Sequence, residues 1–212
     1  MQLERIDRRW AGCRCVVAAS GPSLTPEVAE LCRGERVIAV NDAWRVVPAD
    51  VLYACDEAWW SVHPMAARGF GGEKWTSHSL KPKNDKSALP AQFGVRVVRG
   101  EDRPGFSRDP GLIHYGNNSG FQAVNLAILF GADPIVLVGF DMRAVDGRRH
   151  FFGSHKAPLS DVGKFGIWIA HFTAAAAMLG GWPRIINSTP GSALGCFPMM
   201  PLAEALEMAE AA

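Results

Sequence analysis

Four stretches put small polar residues where an apolar run ends, and each carries groups suited to binding an anion or a hydroxyl. In "VVAASGPSL", Ser20, Gly21, Pro22 and Ser23 follow such a run. Glycine lets a backbone come close to a ligand, and the N–H groups that open a following helix attract anions. The stretch has neither the Gly-Lys-Ser/Thr ending of a Walker loop nor the GxGxxG spacing, and a plain strand-to-helix turn would use the same residues. "VIAVNDAW" ends on Asn41 and Asp42. Asparagine offers a donor and an acceptor to a base or ribose edge, and both residues also make good helix N-caps. Asp56 and Glu57 after "VLYAC" carry the same two readings, ribose or acceptor contact and N-cap. "YGNNSGFQAV" sets Asn117, Asn118, Ser119 and Gly120 just ahead of a helix. Two such helix starts facing one crevice suit a ligand with several anionic and hydroxyl groups, a nucleotide above all.

A fifth region, 141–163, gathers Asp141, Arg143, Arg148, Arg149, His150, His155 and Lys156. Histidine exchanges protons near neutral pH, so either His155 or His150 could serve as a general base. The arginines and the lysine could neutralise a leaving phosphate or meet an acceptor. A solvated loop with incidental histidines fits the composition as well.

Metal chemistry has little support. The chain has no Asp-x-Asp pair, and Cys13, Cys15, Cys32, Cys55 and Cys196 are odd in number and irregular in spacing. They read as reduced thiols of a cytoplasmic protein, the host cytoplasm if the chain is phage-encoded, and not as a zinc site or a disulfide framework. No metal and no other cofactor is expected.

These residues need a scaffold. The chain has 212 residues, 48% of them hydrophobic and 20% charged, with a net charge of +1. That composition suits one globular domain over 1–212 and excludes a strongly basic nucleic-acid or membrane binder. The longest apolar stretch, "AVNLAILFGADPIVLVGF", is broken by Gly131, Asp133 and Pro134, so no membrane span is expected. Strands are expected over 13–20, 36–40, 50–56, 74–79, 95–100, 133–141 and 183–189, and helices over 25–33, 57–67, 119–131, 164–179 and 201–211. Short apolar strands alternating with helices specify an open, mostly parallel Rossmann-like α/β sheet with helices on both faces. Such sheets bind ligands at the carboxyl ends of their strands. The stretch 141–163 follows a central strand directly and is expected to overhang that site as a lid.

Taken together, "VVAASGPSL", "VIAVNDAW" and "NNSGFQAVNLAILFGADPIVLVGFDM" resemble the bacterial sialyltransferases of glycosyltransferase family 42 and the wider superfamily that includes pterin-pyrophosphokinase-like proteins. The similarity runs over about residues 13–195. The C-terminal part is most similar to small phage or prophage members. The resemblance implies that Gly21, Pro22, Ser23 and Asn41 line a cytidine nucleotide and that Ser119 and Gly120 open the second binding helix. It also implies that a lid histidine, His155 or His150, is the base. Asp56 stands where the family has a donor-contacting asparagine. The family's two lid tyrosines have no counterpart, and Arg143, Arg148, Arg149 and Phe151 occupy that region.

The expected activity is therefore a metal-independent glycosyl transfer from a nucleotide-activated sugar, such as a CMP-sugar. A pyrophosphokinase-like enzyme using ATP and magnesium, with Asp56 and Asp141 as ligands, is the alternative on the same fold. A third reading is a non-catalytic nucleotide-binding or phage assembly protein, for which Trp59 and Trp60 could supply a partner surface. The acceptor (glycan, DNA or small molecule) and the oligomeric state, homo-oligomer included, stay open.

Overall fold

A computed structural model describes residues 2–78, 86–155, 159 and 163–210. Eight strands form one sheet in the order β6-β5-β4-β3-β2-β1-β7-β8, and every pair is parallel. The strands are β1 (Cys15–Ala18), β2 (Arg36–Val40), β3 (Val51–Tyr53), β4 (Glu73–His78), β5 (Val95–Glu101), β6 (Leu112–His114), β7 (Ile135–Val138) and β8 (Ile185–Asn187). The expected α/β architecture is present, and the sheet is parallel throughout.

Valine and isoleucine dominate the central strands, where both faces are covered and no polar alternation is needed. In β1, Cys15 and Val17 pack on one face with Ile38, Ile135 and Leu137. Val16 and Ala18 pack on the other with Val37, Ala39, Val136 and Val138. The first face is covered by α5 (Ser119–Phe130) and α6 (Phe165–Met178), the second by α1 (Pro26–Leu31) and α7 (Leu202–Glu207). Beyond them, α2 (Glu57–Val62), α3 (Pro64–Gly69) and α4 (Leu89–Phe93) cover β3 and β5 around Leu52 and Val95.

The chain steps outward from β1 to β6, one strand at a time, with its helices on one face. It then returns through α5 on the opposite face to place β7 beside β1. Right-handed parallel crossovers require that change of face. The strand order reverses between β1 and β7, and a crevice opens there at the carboxyl ends.

Helix α1 lies within the expected span 25–33. Thr25 is the N-cap, its side chain accepting from the Val28 N–H at 3.4 Å, with Pro26 in the first turn. All twelve residues of α5 are buried. The single helix expected over 57–67 is two helices, because His63 precedes Pro64 and takes ψ 54°, outside the helical region. Trp59 and Trp60 lie in the core at 1% and 0% exposure, so they offer no partner surface. Two short elements, β6 and α4, fall where no periodic pattern was visible. Among the described residues no helix is long and apolar enough to cross a membrane.

Candidate functional site

A cavity of about 420 Å³ lies at the carboxyl ends of the strands, across the β1/β7 switch point. Of the residues singled out in the sequence, Gly21, Asn41, Asp56, Asn117, Asn118, Ser119, Gly120, Asp141, Arg149, His150 and His155 line it. Pro22, Ser23, Arg143 and Arg148 stand outside the lining, and Lys156 lies outside the described residues. Gly21, Asn41, Asn118 and Ser119 thus converge on one crevice, and Ser23 reaches it through Asp141.

The Ser-Gly-Pro-Ser corner holds an anion, and the anion is the protein's own. The Ser23 N–H donates to Asp141 Oδ1 at 3.2 Å, and the Ser23 hydroxyl donates to Oδ2 at 2.8 Å. Gly21 is glycine because the β1 and β7 loops touch. A Cβ there would sit 2.0 Å from Asp141 Oδ2 and 2.4 Å from the Gly139 carbonyl oxygen. Gly139 returns the constraint, with φ +72° and a Cβ position 2.3 Å from the Ala19 carbonyl oxygen. Asp141 is only 3% exposed, and burial raises its carboxyl above the ordinary aspartate range although Ser23 stabilises the charged form.

Three non-glycine residues at strand ends take left-handed backbone conformations beside the cavity: Asn41 (φ 51°), Asn117 (φ 52°) and Met142 (φ 51°). Such conformations are costly outside glycine and concentrate at binding sites. The turn at Asn41 sends Asp42 away from the cavity, where it accepts from Trp59 Nε1 at 3.0 Å and anchors α2. Among the described residues Asn41 Oδ1 is buried with no hydrogen-bond partner, as is Nε1 of Trp168, which also lines the cavity. Asp56 is exposed at the start of α2 and makes no side-chain cap.

Helix α5 opens directly on the cavity. Asn118 caps it by accepting from the Phe121 N–H at 3.0 Å. The N–H groups of Ser119 and Gly120 have no partner among the described residues. Asn117 Nδ2 meets His171 Nε2 of α6 at 3.1 Å.

The described part of the lid is folded onto the strand ends. Bridges Val145–Arg148 and His150–Gly153 shape it, and the Phe151 N–H donates to the Ser20 carbonyl at 3.1 Å. His150 stacks on Phe152 with centroids 5.0 Å apart and planes 3° from parallel, and the His155 ring is 4.6 Å from His150. Both histidines therefore face the cavity as one aromatic group.

The floor holds residues that the sequence did not flag. Lys86, from the polar Pro-rich stretch 80–94, is 6% exposed. Its Nζ donates to the carbonyls of Cys55 and Ser77 and, at 3.3 Å, to Thr76 Oγ1. Burial lowers its pKa. Gln122 of α5 accepts at Oε1 from Tyr53 (2.7 Å) and Ser77 (2.6 Å). Cys55 meets the Ser119 hydroxyl at 2.9 Å, and burial pushes its thiol up to about 12. Among the described residues no group of three or more His, Cys, Asp or Glu could hold a metal. Comparison with protein-family models, with curated proteins and with solved structures finds no match.

Proposed function

We propose that the chain is a metal-independent transferase acting on a nucleotide-activated sugar, in line with its resemblance to glycosyltransferase family 42. The observation that carries this reading is the cavity itself. It sits at the switch point where open α/β sheets bind nucleotides, and it joins the free N-terminus of a buried twelve-residue helix to two histidines whose rings lie 4.6 Å apart. The Ser-Gly-Pro-Ser corner is occupied by Asp141, so phosphate binding passes to the α5 N-terminus and to Arg149.

In the reaction, an acceptor hydroxyl gives its proton to a neutral imidazole, for which His155 is our choice. The hydroxyl oxygen bonds to the anomeric carbon as the bond from that carbon to the donor phosphate breaks. The electron pair leaves with the phosphate, whose charge Arg149 and the α5 N–H groups stabilise. Direct displacement inverts the sugar carbon. His150, held by its stack on Phe152, keeps His155 oriented.

The alternative ATP and magnesium reading has Asp56 and Asp141 as metal ligands. Asp56 follows β3 and Asp141 follows β7, three strand spacings apart, or roughly 14 Å. That spacing favours the metal-independent reading over a single ion held by both. Release of nucleoside monophosphate from a panel of nucleotide sugars in chelator tests the reading. Release by the native chain that His155→Gln lowers supports it. Phosphoryl transfer from ATP that requires magnesium would replace it.

A further inference from the structure

Lys86 is a buried lysine with no carboxylate in ion-pair contact among the described residues, although Asp56 and Glu57 lie near enough to favour its charged form. Among the described residues no carboxylate comes within 4.0 Å of its Nζ, and its three acceptors are neutral oxygens. Buried charges are ordinarily paired, because removing an ammonium from water costs far more than neutral hydrogen bonds return. Lys86 also lines the cavity, so a bound anion can supply the direct ion-pair contact that Asp56 and Glu57 do not make.

A second observation points to the same place. Gln122 is 3% exposed and lines the cavity. Its Oε1 takes the hydroxyls of both Tyr53 and Ser77, which fixes the amide, and its Nε2 has no partner among the described residues. Ser77 links the two features, since its carbonyl accepts from Lys86 and its hydroxyl donates to Gln122. The N–H groups of Ser119 and Gly120 open from the same helix as Gln122.

We propose that Lys86, Gln122 and the N-terminus of α5 form an oxyanion subsite at the β3–β4 side of the cavity, which takes a phosphate or carboxylate of the ligand. Lys86 supplies fixed charge. Gln122 Nε2 and the helix N–H groups supply the contacts. The opposite end of the cavity carries the buried Asp141, which suits hydroxyl or amine donors. A ligand therefore lies along the strand ends with its anion over β3–β4 and its donor groups toward β7. This deepens the proposed function and rests on it for the nucleotide, but not for the anion.

The test is calorimetric titration of the full chain, in chelator, with CMP, UMP and AMP, with their nucleosides, with inorganic phosphate, and with glucuronate against glucose. Lys86→Met and Gln122→Glu are compared with the native chain. Gln122→Glu keeps the acceptor used by Tyr53 and Ser77 and replaces the Nε2 donor with a second acceptor, and its melting curve checks that it folds. Both variants should lose roughly tenfold or more in affinity for the anionic probe while nucleoside or glucose affinity stays level. Glucuronate in place of the nucleotides would assign the subsite to a sugar carboxylate. Inorganic phosphate bound without any nucleotide, and lost in both variants, would keep the subsite and remove the nucleotide reading. Native affinity for every anion in both variants, or equal affinity for each anion and its neutral counterpart in the native chain, would overturn the subsite.

Discussion

Ser23 gives both its backbone N–H and its hydroxyl to the carboxylate of Asp141, 118 residues further along the chain. The corner after β1 thereby closes on the end of β7, and the two loops that border the switch point are locked to each other. The lock has a cost in charge. Asp141 is buried, and its raised pKa means that the folded state holds the proton more tightly than the unfolded chain. The stability tied to this proton is full below the ordinary aspartate value, about 3.9, and is lost as pH rises through the folded value.

Asp141→Asn should accordingly match the native melting temperature near pH 4 and exceed it near pH 8. Asparagine still accepts from Ser23 but carries no buried charge. Melting curves across that range check this, and a variant less stable than the native chain at every pH would contradict it. Ligand affinity should fall in the same variant if Asp141 meets donor groups of the ligand.

Gly21→Ala should be far more damaging than its small volume suggests. The new methyl meets Asp141 Oδ2 at 2.0 Å and the Gly139 carbonyl at 2.4 Å. Relief requires the β1 and β7 loops to part, at about 1–3 kcal/mol or more. Gly147→Ala is the control. It has φ +75° but open space around it, so only the backbone penalty of roughly 1 kcal/mol applies. Urea denaturation of the pair measures the difference, and equal losses would mean that the loops are not in tight contact.

His155→Gln should lower turnover by about 100-fold or more with little change in nucleotide affinity. His150→Gln should cost less, because its loss weakens the stack on Phe152 but leaves the base. Steady-state kinetics separate kcat from KM. The reverse order of effects would exchange the two roles, and no effect from either would place the chemistry elsewhere.

Thiol reactivity offers a check that needs no substrate. Burial pushes Cys55 up to about 12 and Cys32 up to about 11. Cys15 is fully buried and raised as well. At pH 8 iodoacetamide should spare all three in the folded protein and label them after unfolding, since the thiolate is the nucleophile. Rapid labelling of Cys55 in the folded state would show that the cavity floor is not packed as described.

The strands that build the switch point were readable because burial on both faces writes itself as continuous valine and isoleucine. β2 runs from Arg36 to Val40, as its pattern indicates. The start of α5 was readable too, in the small polar run Asn117, Asn118, Ser119 and Gly120 ahead of it. The β6 strand was not, because three residues carry no period, and the break at His63 was missed because the tryptophan-rich pattern ran through it. The site was legible as a set of strand ends but not as a set of partners. Nothing local marks the anion of the Ser-Gly-Pro-Ser corner as Asp141. Lys86 was hidden in a stretch that looks like a solvated loop, and only the folded ends of β3 and β4 bring it inside.

Binding of a nucleotide in the absence of metal is the claim on which the functional account turns. Melting temperature is to be measured in chelator with CMP, UMP, AMP and their sugar conjugates. At 100 times its dissociation constant, a true ligand adds about 2.7 kcal/mol of stability. The account expects such a shift for one nucleotide class, unchanged when magnesium is restored. No shift with any of them in chelator, or a shift that depends on magnesium, would contradict it.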